Sequence, residues 1–432
     1  MARFSAQHPD GVTVQQLELL LRAAIFKPAN QLVGCLLQIA ADQVDATYQP
    51  KVGQHYKGRE ALAVQGMFGS FTVWRDYYYH AQEQCGHYPA DAALGLEVGY
   101  TPALARLLCL EGADETSFEK AQEHLRETGG IAVSARQIQR VVQRVGPAAV
   151  AWPARQAQPE ACGAPVLYVS ADGTGVPMRR EALAGRKGKQ PDGSAKTRQA
   201  YLGCVFTQHK RDDQGHPLRD HDSTTYISSF ETVEEFGLRL RCEALRRGSG
   251  TARKIVLLLD GAAGLENLGR INFPGCLQIV DFYHTLEHLD LLLETLWSKD
   301  HPQFKRQYGK WTQLLLKDGV QKIIAQARQR SARSAGQEAV EKALGYFADN
   351  VARMQYGTFR KHGYFIGSGV IEAGCKTVIG ARCKQSGMFW SEPGAANILA
   401  LRCIKLSRQW DLFWKMRANA HAARNDALPM AA

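Results

Sequence analysis

No apolar run in the 432 residues approaches the roughly 18 that a membrane span needs, so the sequence contains no candidate transmembrane helix and no membrane partner is expected. The opening stretch MARFSAQHPDG lacks the charged-then-apolar plan of a secretory signal, which predicts a cytoplasmic location. C-x-x-C pairs are absent as well. The ten cysteines stand singly inside segments such as YLGCVF and LRCIKL, and most of them read as reduced core residues. No internal repeat is present. Acids are in deficit, with 42 Asp and Glu against 53 Lys and Arg, for a formal net charge of +11. That surplus favours polyanions, nucleic acid first and anionic membrane second. At 45% hydrophobic and 22% charged residues, the chain has an ordinary globular composition rather than that of a disordered protein. Its length suits two or three domains.

Residues 1–150 read as mainly helical, with VTVQQLELLLRAAIF and VGCLLQIAADQVDATY at helical period and a strand-like interruption at GSFTVWRDYYYH. Within 116–146, a helix stops at Gly129-Gly130, and Ser134 caps a second helix bearing Arg136, Gln137 and Arg140. That outline is a helix-turn-helix, whose second helix presents Arg and Gln to base edges and phosphates; plain packing of two short basic helices is the competing explanation. A Pro/Ala/Gly-dense linker, 151–164, separates this region from a different architecture. VLYVSAD, KTRQAYLGCVFTQHK, DSTTYISSF, KIVLLLD and CLQIVD read as strands, the last two central in a sheet covered on both faces. The pattern then turns helical from His284 to about Arg353, and helices close the chain.

Two of those strands end in an acid followed by glycine: Asp172 in ADGTG and Asp260 in LDGAAG. Ligands gather beyond strand ends in open sheets, and carboxylates held close repel unless a divalent cation joins them. Mg²⁺ takes hard oxygen ligands and keeps positions for water and phosphate. Glu372 in GSGVIEAGCK is the best third acid, near the start of a helix capped by Ser368 or a neighbour, with Lys376 one turn on to meet a phosphate. Taken singly, each acid also reads as an ordinary cap or surface residue. The basic stretch from Arg179 to Arg198, with Arg180, Arg186, Lys187, Lys189 and Lys196 between, is suited to tracking phosphates.

VSADGTGVPM, LLDGAAGLENL, IVDFYHTLEHL and GSGVIEAGCKTVIGARCKQSGMFW, in this order, resemble the DDE-type transposases of bacterial insertion sequences, specifically the ISKra group of the mutator-like kind. The resemblance covers most of residues 165–408. It implies an α/β RNase H-like core (165–298 and 356–432) with an all-α insertion (299–355), preceded by a DNA-binding region. It places the catalytic, metal-holding triad on Asp172, Asp260 and Glu372, with two Mg²⁺ or Mn²⁺ ions, and a supporting D-x-x-H signature on Asp281 and His284. The implied activity is cleavage and strand transfer on double-stranded DNA, at terminal inverted repeats and target, by a homodimer or larger assembly on the nucleoid. Two departures stand out. Val52 occupies a position where the group often has a zinc-ribbon cysteine, and only His80 and Cys85 remain nearby, so no structural zinc is predicted. Leu265 stands where a tryptophan is usual.

Two rivals differ in class. HTLEH, His284 to His288, spells the H-x-x-E-H of a zinc metallopeptidase with Glu287 as base. A decayed or domesticated transposase would keep DNA binding and lose the chemistry.

Overall fold

The computed structural model describes residues 13–96, 99–155, 161–188, 195–331 and 337–422. The chain is mixed α/β and divides into two compact units, residues 1–147 with 410–432 and residues 148–409. Among the described residues no helix is long and apolar enough to cross a membrane.

Unit 1 begins with α1 (Val14–Thr47), started by a reciprocal cap in which Thr13 Oγ1 accepts from Gln16 N and Gln16 returns to Thr13 N. Pro28 lies inside it, which removes one backbone hydrogen bond and costs a helix about 3 kcal/mol. Packing offsets this: Gly34, Ala41 and Val44 face a three-stranded antiparallel sheet of β1 (Gln54–Gly66), β2 (Gly69–His80) and β3 (Cys85–His87). Val64 and Val73, together with Ala90 and Ala93 of α2 (Pro89–Leu94), complete that core. The region is therefore less helical than its sequence predicts. β1 escapes the pattern because Lys57, Arg59 and Glu60 ride on a strand whose first buried residue is Val64, leaving no apolar alternation to read.

Helix α3 (Pro102–Asp114) is followed by α4 (Phe118–His124), which runs on through a π turn at Leu125–Gly129 and stops at Gly130 in the left-handed region. Helix α5 (Ala135–Val150) then starts from Ser134, which bonds reciprocally with Gln137. Ile138, Val141, Val142 and Val145 bury one face of α5, while Arg136, Gln137, Arg140 and Arg144 lie exposed on the other. Gly112 lets α3 cross α5 closely: a Cβ there would meet Ile138 Cγ2 at 2.9 Å and Val142 Cγ2 at 3.0 Å.

His124 joins α3 to α4, its Nδ1 2.6 Å from Glu111 and 3.4 Å from Glu115. The bond to Glu111 raises the imidazole pKa above its ordinary 6.5. A raised folded-state value means this contribution to stability is fully present below the unfolded value, and is lost as pH rises through the folded one. Thermal melts from pH 5.5 to 9 are therefore expected to show the wild type losing its margin over His124→Gln as pH rises. A margin independent of pH would remove the ion pair from the account.

Unit 2 is built on a five-stranded mixed sheet. In chain order its strands are β4 (Val166–Pro177), β5 (Thr197–Gln208), β6 (Thr225–Ser229), β7 (Ile255–Leu259) and β8 (Leu277–Val280). Their spatial order is β8-β7-β4-β5-β6, with β4, β7 and β8 mutually parallel and β5 antiparallel to both its neighbours. Alternation divides the side chains between two faces. Leu167, Val169, Val205, Leu257 and Leu259 meet Phe236 and Leu240 of α6 (Val233–Arg246) and Leu265 and Leu268 of α7 (Ala263–Asn272) in one core. Tyr168 and Phe206 stack on the opposite face, their ring centroids 4.8 Å apart.

Among the described residues, α8 (Phe282–Glu294), α9 (Pro302–Leu315), α10 (Val320–Ser331), α11 (Gln337–Asn350) and a short helix at Tyr356–Lys361 lie between β8 and the closing segments. Trp311, Leu289, Ile323 and Phe347 are buried among them. Next comes α12 (Gly369–Gly374), which continues through a π turn at Cys375–Gly380 into Ala381–Cys383. Helix α13 (Glu392–Leu406) follows and packs on β6.

Candidate active site

Asp172 does not end its strand. β4 runs on to Pro177, paired throughout with β5, and it is the parallel pairing with β7 that stops, at Ser170 opposite Leu258. The glycines after Asp172 are therefore not turn residues. A Cβ at Gly173 would strike the Gln199 side chain at 2.2 Å, and one at Gly175 would meet Thr197 Oγ1 at 2.7 Å; the glycines let side chains of β5 lie across the β4 backbone.

The register brings the acids level. Carried two residues past Ser170 and Leu258, it sets Asp172 beside Asp260, and the β7–β8 register, which pairs Leu259 with Val280, sets Asp260 beside Asp281. All three have the parity of the sheet face opposite the α6–α7 core.

Each acid is held by its own local bond. Asp172 Oδ1 accepts from Gly173 N at 2.6 Å, and Asp260 Oδ1 accepts from Ala262 N at 2.8 Å. Gly261 between them has φ +84°, and a Cβ there would also meet the Tyr346 hydroxyl at 3.0 Å. That hydroxyl donates to the Asp260 carbonyl at 3.1 Å, and burial pushes its pKa up to about 12. The His288 ring stacks on Tyr346 at 3.5 Å, and burial, reinforced by neighbouring His284, lowers its pKa and favours the neutral imidazole.

Glu372 arrives from the other side. A Cβ at Gly374 would meet Tyr226 at 2.7 Å and Leu202, the β5 partner of Asp172, at 3.1 Å, so α12 lies close against this face of the sheet. Cys375, one turn beyond Glu372, has its thiol pKa raised by burial first and then by the charge of the nearby Asp172 carboxylate. Ile371 and Gly374 are the buried residues of α12, and Glu372 next to Ile371 is exposed. Ser368 does not cap α12. Its hydroxyl donates instead to Glu372 Oε1 at 2.9 Å.

Asp281, 1% exposed, connects the two sides. It caps α8 by accepting from His284 N at 2.6 Å, and its second oxygen accepts from Ser368 N. The strand-end carboxylate thus fixes both the start of α8 and the backbone that carries Glu372. Cys375, Tyr346 and Lys384, whose Nζ meets Thr174 Oγ1, are residues near the acids that the sequence alone did not single out. Their signal is tertiary: none sits in a spacing that specifies its partner.

The donor set suits a hard divalent cation. Asp172, Asp260 and Glu372 each keep carboxylate oxygen beyond the local bond described, and among the described residues none makes a salt bridge to Lys, Arg or His. Carboxylate oxygens are the hard ligands that Mg²⁺ takes. Their ligand atoms do not all lie within 4.8 Å; among the described residues the group that meets this spacing is Glu111, Glu115 and His124 in unit 1. His284, Glu287 and His288 gather no third ligand at that spacing either. His284 Nδ1 lies 3.2 Å from Glu287 in the first turns of α8.

The basic residues divide. Arg136, Arg140, Arg179, Arg180, Arg186, Lys187, Lys196 and Lys376 are exposed, and Lys189 lies outside the described residues. Arg198 is not available in the same way: it pairs with Glu392, donates to Phe230 O at 2.9 Å and lies over the Phe230 ring. Gln137 is spent in the α5 cap. Leu265 is buried in the α6–α7 core, turned away from the acids. Val52 is fully exposed, its carbonyl 3.1 Å from His80 Nε2, while Cys85 reaches Glu83.

Residues 10–190 match the model of an uncharacterised protein family, UPF0236; the matched stretch includes Asp172 and ends before Asp260 and Glu372. No curated protein matches the chain. Among solved structures, the Drosophila P element transposase strand transfer complex aligns over 74% of this chain and 80% of its own at 11% identity, with a TM-score of 0.24.

Proposed function

We propose that unit 2 is the RNase H-like core of a DDE transposase of the ISKra kind, cleaving and joining DNA ends with Mg²⁺ or Mn²⁺. The observation that supports the reading is that Asp172 and Asp260 follow the paired residues Ser170 and Leu258 by the same two positions on adjacent parallel strands, while the Asp281–Ser368 bond ties the segment carrying Glu372 to the end of β8. The strand order, three antiparallel strands followed by two parallel to the first, supports the same core.

Divalent ions, when bound, supply an activated water or 3′-hydroxyl and neutralise the leaving oxygen. Asp172, Asp260 and Glu372 are the residues to hold them. The chain's own part is position and charge: Asp281 keeps the Glu372 backbone in register with the strand ends, Tyr346 holds the Asp260 turn, and Lys376 with the Arg179–Lys196 stretch meets phosphates. Helix α5 reads the DNA end through Arg136 and Arg140. Leu265 in the core, where the resemblance has tryptophan, favours a second reading, a DNA-binding protein whose chemistry has decayed.

The test is nicking of supercoiled plasmid carrying the DNA that flanks this reading frame, in Mg²⁺ and in Mn²⁺. Nicking that needs the metal and is lost in Glu372→Gln supports the first reading; binding without nicking supports the second. Replacing Arg136 and Arg140 by Ala is expected to weaken end binding and flatten its salt dependence by about two in log–log slope if both touch phosphate. An unchanged gel shift at every salt concentration would take α5 out of the interface.

A further inference from the structure

Helix α1 presents an apolar stripe that is exposed among the described residues. Val14, Leu21, Ile25, Leu32, Leu36 and Ile39 are each between 54% and 74% exposed. At 3.6 residues per turn they fall within an arc of about 60°. The arc lies opposite Gly34, Ala41 and Val44, the residues that dock α1 on its sheet. All of residues 13–21 are exposed, so the start of the helix projects beyond Arg22 and Phe26, which touch the body at Gly129 O and the Phe68 ring. Single exposed apolar residues need no explanation, but a stripe running 26 residues from Val14 to Ile39 does.

We infer that this stripe is a homotypic seam, on which α1 of a second copy of the chain lies antiparallel. The spacing is that of a coiled coil: Glu18, Ile25, Leu32 and Ile39 repeat every seven residues, as do Val14, Leu21, Pro28 and Cys35. An antiparallel partner sets each row against the other, Val14 facing Ile39, Glu18 facing Cys35, Leu21 facing Leu32 and Ile25 facing Pro28. A parallel partner stacks Glu18 on Glu18 inside the seam, a like-charge contact that the antiparallel pairing avoids. The antiparallel arrangement also lays each projecting half on the outer face of the other helix's docked half.

The area is sufficient. Side chains of this size and exposure offer on the order of 100 Å² each, so six from each copy bury about 1,200 Å² in all, where specific interfaces begin. Charge does not oppose contact, because along α1 the charged residues are Glu18, Arg22, Lys27, Asp42 and Asp45, and Glu18 alone lies in the two repeating rows. This surface is independent of the chemistry assigned to unit 2.

The experiment uses the full chain. Light scattering on the wild type at tens of micromolar is expected to give the mass of two chains. Leu21→Glu with Leu32→Glu is expected to give one chain with unchanged circular dichroism, while Leu238→Glu, equally exposed on α6, leaves the mass of two. With the exposed Cys85 and Cys242 replaced by Ser, Glu18→Cys is expected to cross-link to Cys35 on mild oxidation. The cross-link should disappear when Cys35 is also replaced by Ser. A monomeric wild type, a double variant that stays dimeric, or a Glu18→Cys cross-link that survives loss of Cys35 would overturn the proposal.

Discussion

Asp172→Asn is expected to lower metal-dependent nicking by on the order of 10³-fold or more, while end binding changes by less than about twofold. The substitution keeps the shape of the side chain and its bond from Gly173 N, so β4 and its pairing with β5 have no reason to move. What is lost is charge. A bound divalent ion contributes several kcal/mol to transition-state stabilisation, and each 1.36 kcal/mol is a factor of ten in rate. Under the proposed function, end binding is assigned to Arg136, Arg140 and the exposed basic stretch after β4, apart from Asp172. Near-normal nicking in this variant would place the chemistry elsewhere; equal loss of nicking and binding would mean that Asp172 serves the fold.

Asp281→Ala is expected to cost about 3 kcal/mol of stability, the second large effect. Asp281 is buried and satisfies two backbone donors, His284 N at the start of α8 and Ser368 N before α12. Removing an N-cap acceptor costs about 0.5–2 kcal/mol, and a buried donor left without a partner costs about 1–3 kcal/mol. Denaturant melts give the total. The positioning role has its own signature: Asp281→Asn retains one acceptor oxygen and is expected to recover most of the stability while nicking stays low, because an amide in that place cannot accept from both donors. Full recovery of nicking along with stability would leave Asp281 a helix cap and nothing more.

Much of unit 2 was legible because its strands are short, apolar and bounded by turns. VLYVSAD, KIVLLLD and CLQIVD follow the pattern of strands buried on both faces and correspond to β4, β7 and β8. The meaning of Gly173 and Gly175 was not legible. Acid followed by glycine suggests a strand end, yet these glycines make room for Gln199 and Thr197 on a neighbour 26 and 22 residues away, and no local pattern carries that information. β1 was hidden for the opposite reason, since an exposed hairpin strand needs no apolar alternation. Cysteine burial was half legible: Cys109, Cys204, Cys383 and Cys403 are in the core, whereas Cys35, Cys85 and Cys242 are exposed. The three acids stood out at strand and helix ends, but the bond from Ser368 N to Asp281, which ties the Glu372 segment to the end of β8, joins residues 87 positions apart and becomes visible only in the fold.

Mn²⁺ binding by the full chain, counted by electron paramagnetic resonance at equilibrium, is the most direct test, because it reads the acids without requiring DNA or turnover. The account predicts saturable binding in the wild type, weakened in each of Asp172→Asn, Asp260→Asn and Glu372→Gln, and abolished when all three are combined. Binding that is unaltered in the triple variant would contradict it.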